Sequence, residues 1–237
     1  QDIRGIMKMP PNIIPYHPTL GNYGIIFSWP IIIWLKNTVI VLASVVFSTI
    51  ILCSMTGYSF AFYNFKYKKQ IWILLLVGIM IPRISMIIPI FVIIKNLSLS
   101  GTLLATILPL IYYPVGIYLA RTYFETIPIS LLESARLDGA HEGQILFKII
   151  MPISKPILTT LALFSSIGAL GDYLWQMLIL QKESNKTLLV GMIVRSMVRG
   201  ISDAAESNNM NIFGISLAVG TFLLIPLLVM FLWANKY

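Results

Sequence analysis

Ionisable side chains are sparse along this chain, and most of those that could do chemistry sit in one stretch. In LLESARLDGAHEGQILFKIIMP, residues 131–152, Glu133, Arg136, Asp138, His141, Glu142 and Lys148 crowd around two glycines. Carboxylates beside an imidazole could in principle move protons or hold a metal. The two histidines, His17 and His141, are too far apart in sequence for a His-rich metal site, and no H-E-x-x-H pair or cluster of acids lies within an apolar run. A phosphate-cradling G-x-x-x-x-G-K-[ST] loop is absent too, so this chain is not expected to hydrolyse ATP. The spacing describes a shape instead. Pro128 stops one helix and starts another, and Ser130 with Glu133 has the capping-box form. Gly139 ends that short helix, because glycine takes a left-handed conformation cheaply. Asp138 then reads as the N-cap of a second helix over 140–150, closed by Pro152. The product is a small rigid knob with a glycine corner. On shape alone it is either a docking element for another protein or an amphipathic connector lying at a membrane surface.

The surroundings decide where such a knob would sit. The chain has 237 residues, of which 57% are hydrophobic and 11% charged, with a mean hydropathy of +0.85. Soluble domains carry about 25% charge, so this is a multi-pass membrane protein. Its net charge of +8 is spread over short loops with no basic stripe, which excludes a nucleic-acid partner and fits lysines and arginines flanking spans in contact with membrane lipid. The single cysteine, Cys53, lies in an apolar run, which excludes an intrachain disulfide.

A spanning helix needs roughly 20 mainly apolar residues. The stretches 38–61, 71–94, 103–124, 157–180 and 212–233 qualify, and without the alternation of a β-barrel they must be helices. Residues 1–37 form an outer segment and amphipathic lead-in, followed by a transmembrane domain over 38–234. Two connections within that domain are long: 125–156, which holds the knob, and 181–211, expected to be helical over 188–198. Alternation of sides places these two loops on opposite faces. Counting lysines and arginines nearly ties, and only the Lys66–Lys69 cluster leans toward the knob's side being cytoplasmic.

Polar groups inside spans are costly and often functional. Arg83, beside Pro82, either faces a pathway, where it could hydrogen-bond a polar or an acidic group, or pairs with a partner's carboxylate or snorkels. Asp172 either lines the same pathway or caps its helix. Tyr112, Tyr113, Tyr173 and Trp175 offer aromatic faces on which a substrate could stack, or an interfacial belt, the belt being preferred for Trp175. Asn37 reads as interfacial. Pro82, Pro89, Pro109 and Pro114 suit kinked spans around a cavity.

The order Glu133, Ser134, Ala135, then Asp138, Gly139, Ala140, then Ile149, Met151 and Pro152 resembles the EAA loop of ABC importer permeases, with Ser134 and Met151 where that family prefers alanine and leucine. The likeness extends through PPNIIPYHPTLGNY, KNTVIVLASVVFSTIILCSMTGYSFA, IPRISMIIPIFVIIKNLSLSGT and GDYLWQMLILQKESNKTLLVG to the maltose-type carbohydrate-uptake permeases. The resemblance implies an all-α polytopic bundle of the type I ABC importer permease fold, with one further N-terminal span preceding the five, in a bacterial inner membrane. It implies that Glu133, Ser134, Ala135, Asp138, Gly139, Ala140 and His141 form the coupling element against a cytoplasmic ATPase dimer that uses ATP and Mg. It also implies a second permease, unlike in sequence, completing a heterodimeric pathway, and an extracytoplasmic solute-binding protein facing 181–211. The expected cargo is a sugar, an oligosaccharide above all, and the chain itself binds no cofactor. Arg83, Tyr112, Tyr113, Asp172 and Tyr173 are the candidate pathway residues. A permease for a non-sugar solute and an ion-coupled secondary transporter are the competing readings; the latter needs mid-membrane acids or histidines, and only Asp172 is on offer.

Overall fold

The computed structural model describes residues 20–205 and 212–234, and every described element is helical. A short helix α1 (Gly21–Phe27) leads through Pro30 into α2 (Ile31–Phe62), 32 residues long and apolar enough to cross a membrane unbroken. At 1.5 Å per residue, α2 is about 48 Å long, well beyond the roughly 30 Å hydrocarbon core. It is long enough to span with length to spare, and it begins earlier than the 38–61 expected from apolar length.

The other apolar runs are broken, and proline chemistry explains where. The run 71–94 is expected to be one span, yet it divides into α3 (Lys68–Met80) and, after a 3₁₀ turn at Arg83–Met86, α4 (Ile87–Asn96), bent by 98°. Ile81 precedes Pro82, whose ring clashes with a helical predecessor, so Ile81 is extended (φ −78°, ψ 117°). The run 103–124 likewise divides into α5 (Leu103–Ile111) and α6 (Pro114–Phe124), bent by 44°, with Tyr112 and Tyr113 leaving the helix before Pro114. Pro114 then occupies the first turn of α6, where its missing N–H costs nothing.

The knob follows as α7 (Ile129–Leu137) and α8 (Glu142–Ile153), the latter containing a π-helical stretch at Ile145–Ile150. An 84° bend at Ser154 leads into α9 (Lys155–Gly171), and the expected span 157–180 ends early because Asp172 separates α9 from α10 (Tyr173–Ile179). Last come α11 (Leu188–Ala205), longer than the expected 188–198, and α12 (Ile212–Ala234).

The axis of the bundle is α2, which packs chiefly on α6 and α9. Its inner half shares one apolar core with the knob: Cys53 and Tyr58 meet Ile117, Ala120 and Phe124 of α6, Leu132 and Ala135 of α7, and Ile145, Leu146 and Ile150 of α8. Its outer end packs Ile31 and Trp34 against Leu188 and Met192 of α11 and Ile215 of α12. The closest approach of α2 and α6 is at Gly57, where an added Cβ would lie 2.8 Å from the Ala120 Cβ and 2.9 Å from the Arg121 backbone nitrogen. Small residues at such a crossing let two backbones come together where lipid supplies no hydrophobic drive. Backbone cannot yield as a side chain tip can. Gly57→Leu is therefore expected to destabilise the protein by about 3 kcal/mol or more, the upper end of overpacking costs, read as a lowered unfolding midpoint in detergent, while Ser59→Ala, at a half-buried position whose hydroxyl donates only to the Met55 carbonyl of its own helix, leaves it nearly unchanged.

Candidate functional site

The knob is held by two local devices. At the end of α7, the Gly139 N–H donates to the Arg136 carbonyl and the Ala140 N–H to the Ala135 carbonyl, each at 3.0 Å. This 6→1 and 5→2 pairing is a Schellman closure, and Gly139 takes the left-handed conformation it requires, with φ +83°. The Ser130–Glu133 capping box is not formed. Pro128 is the N-cap, Ser130 lies inside the first turn, and Glu133 is exposed. Asp138 is not the N-cap of the next helix either; it is the C-cap of α7. The capping box belongs to His141 and Gln144. His141 Nδ1 accepts from the Gln144 N–H at 3.3 Å, and Gln144 Oε1 accepts from the His141 N–H at 3.2 Å. A histidine cap lies outside the serine, threonine, aspartate and asparagine set that sequence patterns rely on, which is why it was assigned to Asp138.

Glu133, Ser134, Asp138, Gly139 and His141 are all exposed on this knob, Ala140 is half-buried, and Ala135 is buried in the core beneath. Directly behind them lies a polar cluster that sequence spacing does not reveal. Arg136 Nε donates to Glu142 Oε1 at 2.9 Å, and the Tyr58 hydroxyl, in the last turns of α2, donates to Glu142 Oε2. The Arg136 guanidinium also lies 5.8 Å from the Tyr63 ring centre. Burial pushes the Glu142 carboxyl up, but hydrogen bonds from Arg136, Tyr58 and Tyr63 outweigh it and hold it at about 2. Tyr58 is 84 residues away from Glu142, which is why no motif signals the contact.

A second cluster sits at the helix breaks. Arg83, in the 3₁₀ turn between α3 and α4, donates from Nη2 to Asp172 Oδ2 at 2.8 Å, at the junction of α9 and α10. The Arg83 side chain is 49% exposed and Asp172 14%. The pair opens into a cleft walled by Ile84, Ile87, Pro109, Leu174 and Trp175. Asp172 stands at the C-cap of α9 and the N-cap of α10, but its side chain makes no capping hydrogen bond there and is taken by Arg83, whose partner is thus in its own chain. Tyr112, Tyr113 and Tyr173 do not line this cleft. Tyr112 and Tyr173 are exposed, and Tyr113 packs against the inner core beside Cys53. Trp175 is not a belt residue: it is 3% exposed and its indole donates to the Ala105 carbonyl at 3.1 Å.

The loop after α10 is fastened to the start of α2. Trp34 Nε1 donates to the Glu183 carbonyl at 3.1 Å, and Asn37 Nδ2 donates to the Ser184 and Lys186 carbonyls, both at 2.9 Å. The Leu188 N–H donates to Thr38 Oγ1 at 2.8 Å. Asn37 is thus buried within the protein rather than interfacial. Of the expected outer loop 181–211, residues 206–211 lie outside the described residues, as does the PPNIIPYHPT part of the N-terminal stretch.

Comparison with known proteins places this architecture. The profile of the family described as "binding-protein-dependent transport system inner membrane component" matches residues 50–237. The chain belongs to this family of permeases. It is 31% identical over 232 residues, 95% of this chain and 78% of the relative, to the galactooligosaccharides transport system permease protein GanQ of Bacillus subtilis. To the arabinooligosaccharides transport system permease protein AraQ of Halalkalibacterium halodurans it is 29% identical over 224 residues, 92% of this chain and 76% of the relative. The fold matches a bacterial ABC transporter involved in the import of the acidic polysaccharide alginate, with a TM-score of 0.84 at 22% identity, over 100% of this chain and 85% of the other. The permease therefore has the type I ABC importer fold, as the resemblance implied.

Three outcomes are expected of this geometry. Replacing His141 by alanine removes a cap and should cost about 1 kcal/mol of stability, read from the unfolding midpoint of the purified permease. The low value for Glu142 means that its pairing contributes fully above its ordinary 4.5 and is lost only as pH falls toward about 2; Glu142→Gln should therefore lower the midpoint by the same amount at pH 8 and at pH 5.5. For the pair in the cleft, Arg83→Asp and Asp172→Arg should each lower the midpoint, and the exchange of both should recover most of the loss.

Proposed function

We propose that this permease forms half of the translocation pathway of an ATP-driven importer for sugars, with oligosaccharides as the substrate class. Nearly full-length likeness to permeases named for arabino- and galactooligosaccharides carries the substrate class. A trehalose/maltose permease of Thermococcus litoralis, 29% identical over 95% of this chain, points the same way. In this reading the chain is a multi-pass component of a bacterial inner membrane. A second permease completes the pathway, a solute-binding protein delivers the sugar from outside, and a cytoplasmic ATPase dimer hydrolyses ATP with Mg.

The geometry supports specific roles. The exposed corner formed by Glu133, Ser134, Asp138, Gly139, Ala140 and His141 is rigid, because a Schellman closure and a capping box meet there, and Ala135 anchors it from below. Rigidity is what a docking element needs to pass on motion rather than absorb it. The open space around Gly139, where an added Cβ meets nothing within 4 Å, leaves room for a partner surface. In the cleft, Arg83 and Asp172 present donors and acceptors beside apolar walls, a combination suited to the hydroxyls and the apolar face of a sugar ring. Tyr112 and Tyr173, both exposed, are further candidates on the pathway, and Tyr113 is placed to shape it from the inner core. Outside, the fastened segment 183–188 presents a fixed surface to the binding protein.

The deciding experiment is purification of the tagged full-length protein in mild detergent with its partners identified by mass spectrometry. A P-loop ATPase and a second permease are expected, and the chain alone, stable and monomeric, would overturn the proposal. In the assembled importer, Gly139→Trp is expected to keep the ATPase bound while ATP hydrolysis no longer drives sugar uptake; normal uptake by that variant would show that the corner is not the docking site.

A further inference from the structure

We propose that Glu142, gripped between Arg136 and Tyr58, is a positioning residue that passes movement of the knob into α2, and that α2 carries it across the membrane to the outer segment 183–188. This rests on the docking role proposed above for the knob. Three observations carry it.

The first is the placement of the grip. Arg136 is in the last turn of α7 and Glu142 in the first turn of α8, so their ion pair closes the two arms of the knob across the Gly139 corner. Tyr58 then ties that closed corner to α2 through the other carboxylate oxygen, while its ring is 4% exposed and packed with Phe62 and Tyr63. The apolar contacts between knob and bundle, such as Leu132 and Leu146 against Phe124, are non-directional and can slide. A carboxylate held by a guanidinium and a phenol is directional and charge-assisted, so it is the contact that resists sliding.

The second is the rod. Among the described residues α2 runs unbroken for 32 residues, whereas α3–α4, α5–α6 and α8–α9 are bent by 98°, 44° and 84°. A bent span can absorb a push at its hinge, but α2 has none.

The third is the far end. Asn37 and Thr38 of α2 hold the backbone of Ser184, Lys186 and Leu188, and Trp34 holds that of Glu183. Trp34, Asn37 and Thr38 are all buried, so these are contacts of the protein interior. One helix is therefore gripped by polar contacts at the knob and again at the segment facing the binding protein.

Hydrogen–deuterium exchange on the importer purified with the tagged full-length chain tests this without knowledge of the sugar. Trapping the partner ATPase with ATP and vanadate should change exchange at residues 129–144 and also at 183–191. In Glu142→Gln and in Tyr58→Phe, the change at 129–144 is expected to persist while that at 183–191 falls several-fold, and Glu142→Asp should restore it. A merely structural role would shift baseline exchange without removing the nucleotide-dependent part. An undiminished response at 183–191 in both variants would overturn the inference and leave the docking proposal standing, as would a wild-type importer whose outer segment ignores the trap. No response at 129–144 in the wild type would overturn the docking reading itself, and the inference with it.

Discussion

Everything in this molecule depends on one constraint: a backbone passing through hydrocarbon must satisfy its own N–H and C=O groups. Helix is the solution along most of the chain. Where proline forbids it, at Ile81–Pro82 and Tyr113–Pro114, the chain leaves the helix and turns. Such breaks are tolerated only where protein or a water-filled space takes over the freed groups. It is at one of these breaks that Arg83 reaches Asp172, itself at the non-proline break between α9 and α10. The bends thus bring polar side chains to places where an unbroken helical bundle would have only apolar ones.

The unbroken helix has the complementary role. Because α2 is unbroken, its two ends bear a fixed relation to one another, and the protein uses both. The inner end shares its core with the knob and meets α6 at Gly57, where backbone rests nearly on backbone. The outer end is fastened to the segment before α11 by amide, indole and hydroxyl groups. A permease of this family must link events on one face of the membrane to access on the other, and a stiff element pinned at both faces is a direct physical means to that end.

Polar pairing is concentrated at the two ends of α2. The carboxylate of Glu142 stays ionised because an arginine and two tyrosines share its charge. Glu183 at the opposite surface is likewise paired, with Lys186 and Arg195. Neither cluster contains an isolated charge, as expected of groups that are partly desolvated. In the cleft, too, Arg83 and Asp172 satisfy one another, so the acid that an ion-coupled carrier would need unpaired is already engaged.

By itself the sequence determined the membrane class, the helical fold, the family, and the position of the knob with its glycine corner. These follow from apolar length, from the scarcity of charge, and from short-range backbone chemistry such as the left-handed preference of Gly139, all of which act over a few residues. The bend sites were half legible: the prolines were visible, but apolar run length does not register a change of direction, and runs such as 71–94 look continuous. The cap shows the same limit, since Asp138 and His141 are both near the corner and only the backbone path decides which faces the free N–H groups of α8. What the tertiary structure alone decided was pairing at a distance. Tyr58 with Glu142, Arg83 with Asp172, and Asn37 with Lys186 are separated by 84, 89 and 149 residues. No local pattern links such positions; the packing of the helices against one another brings them together.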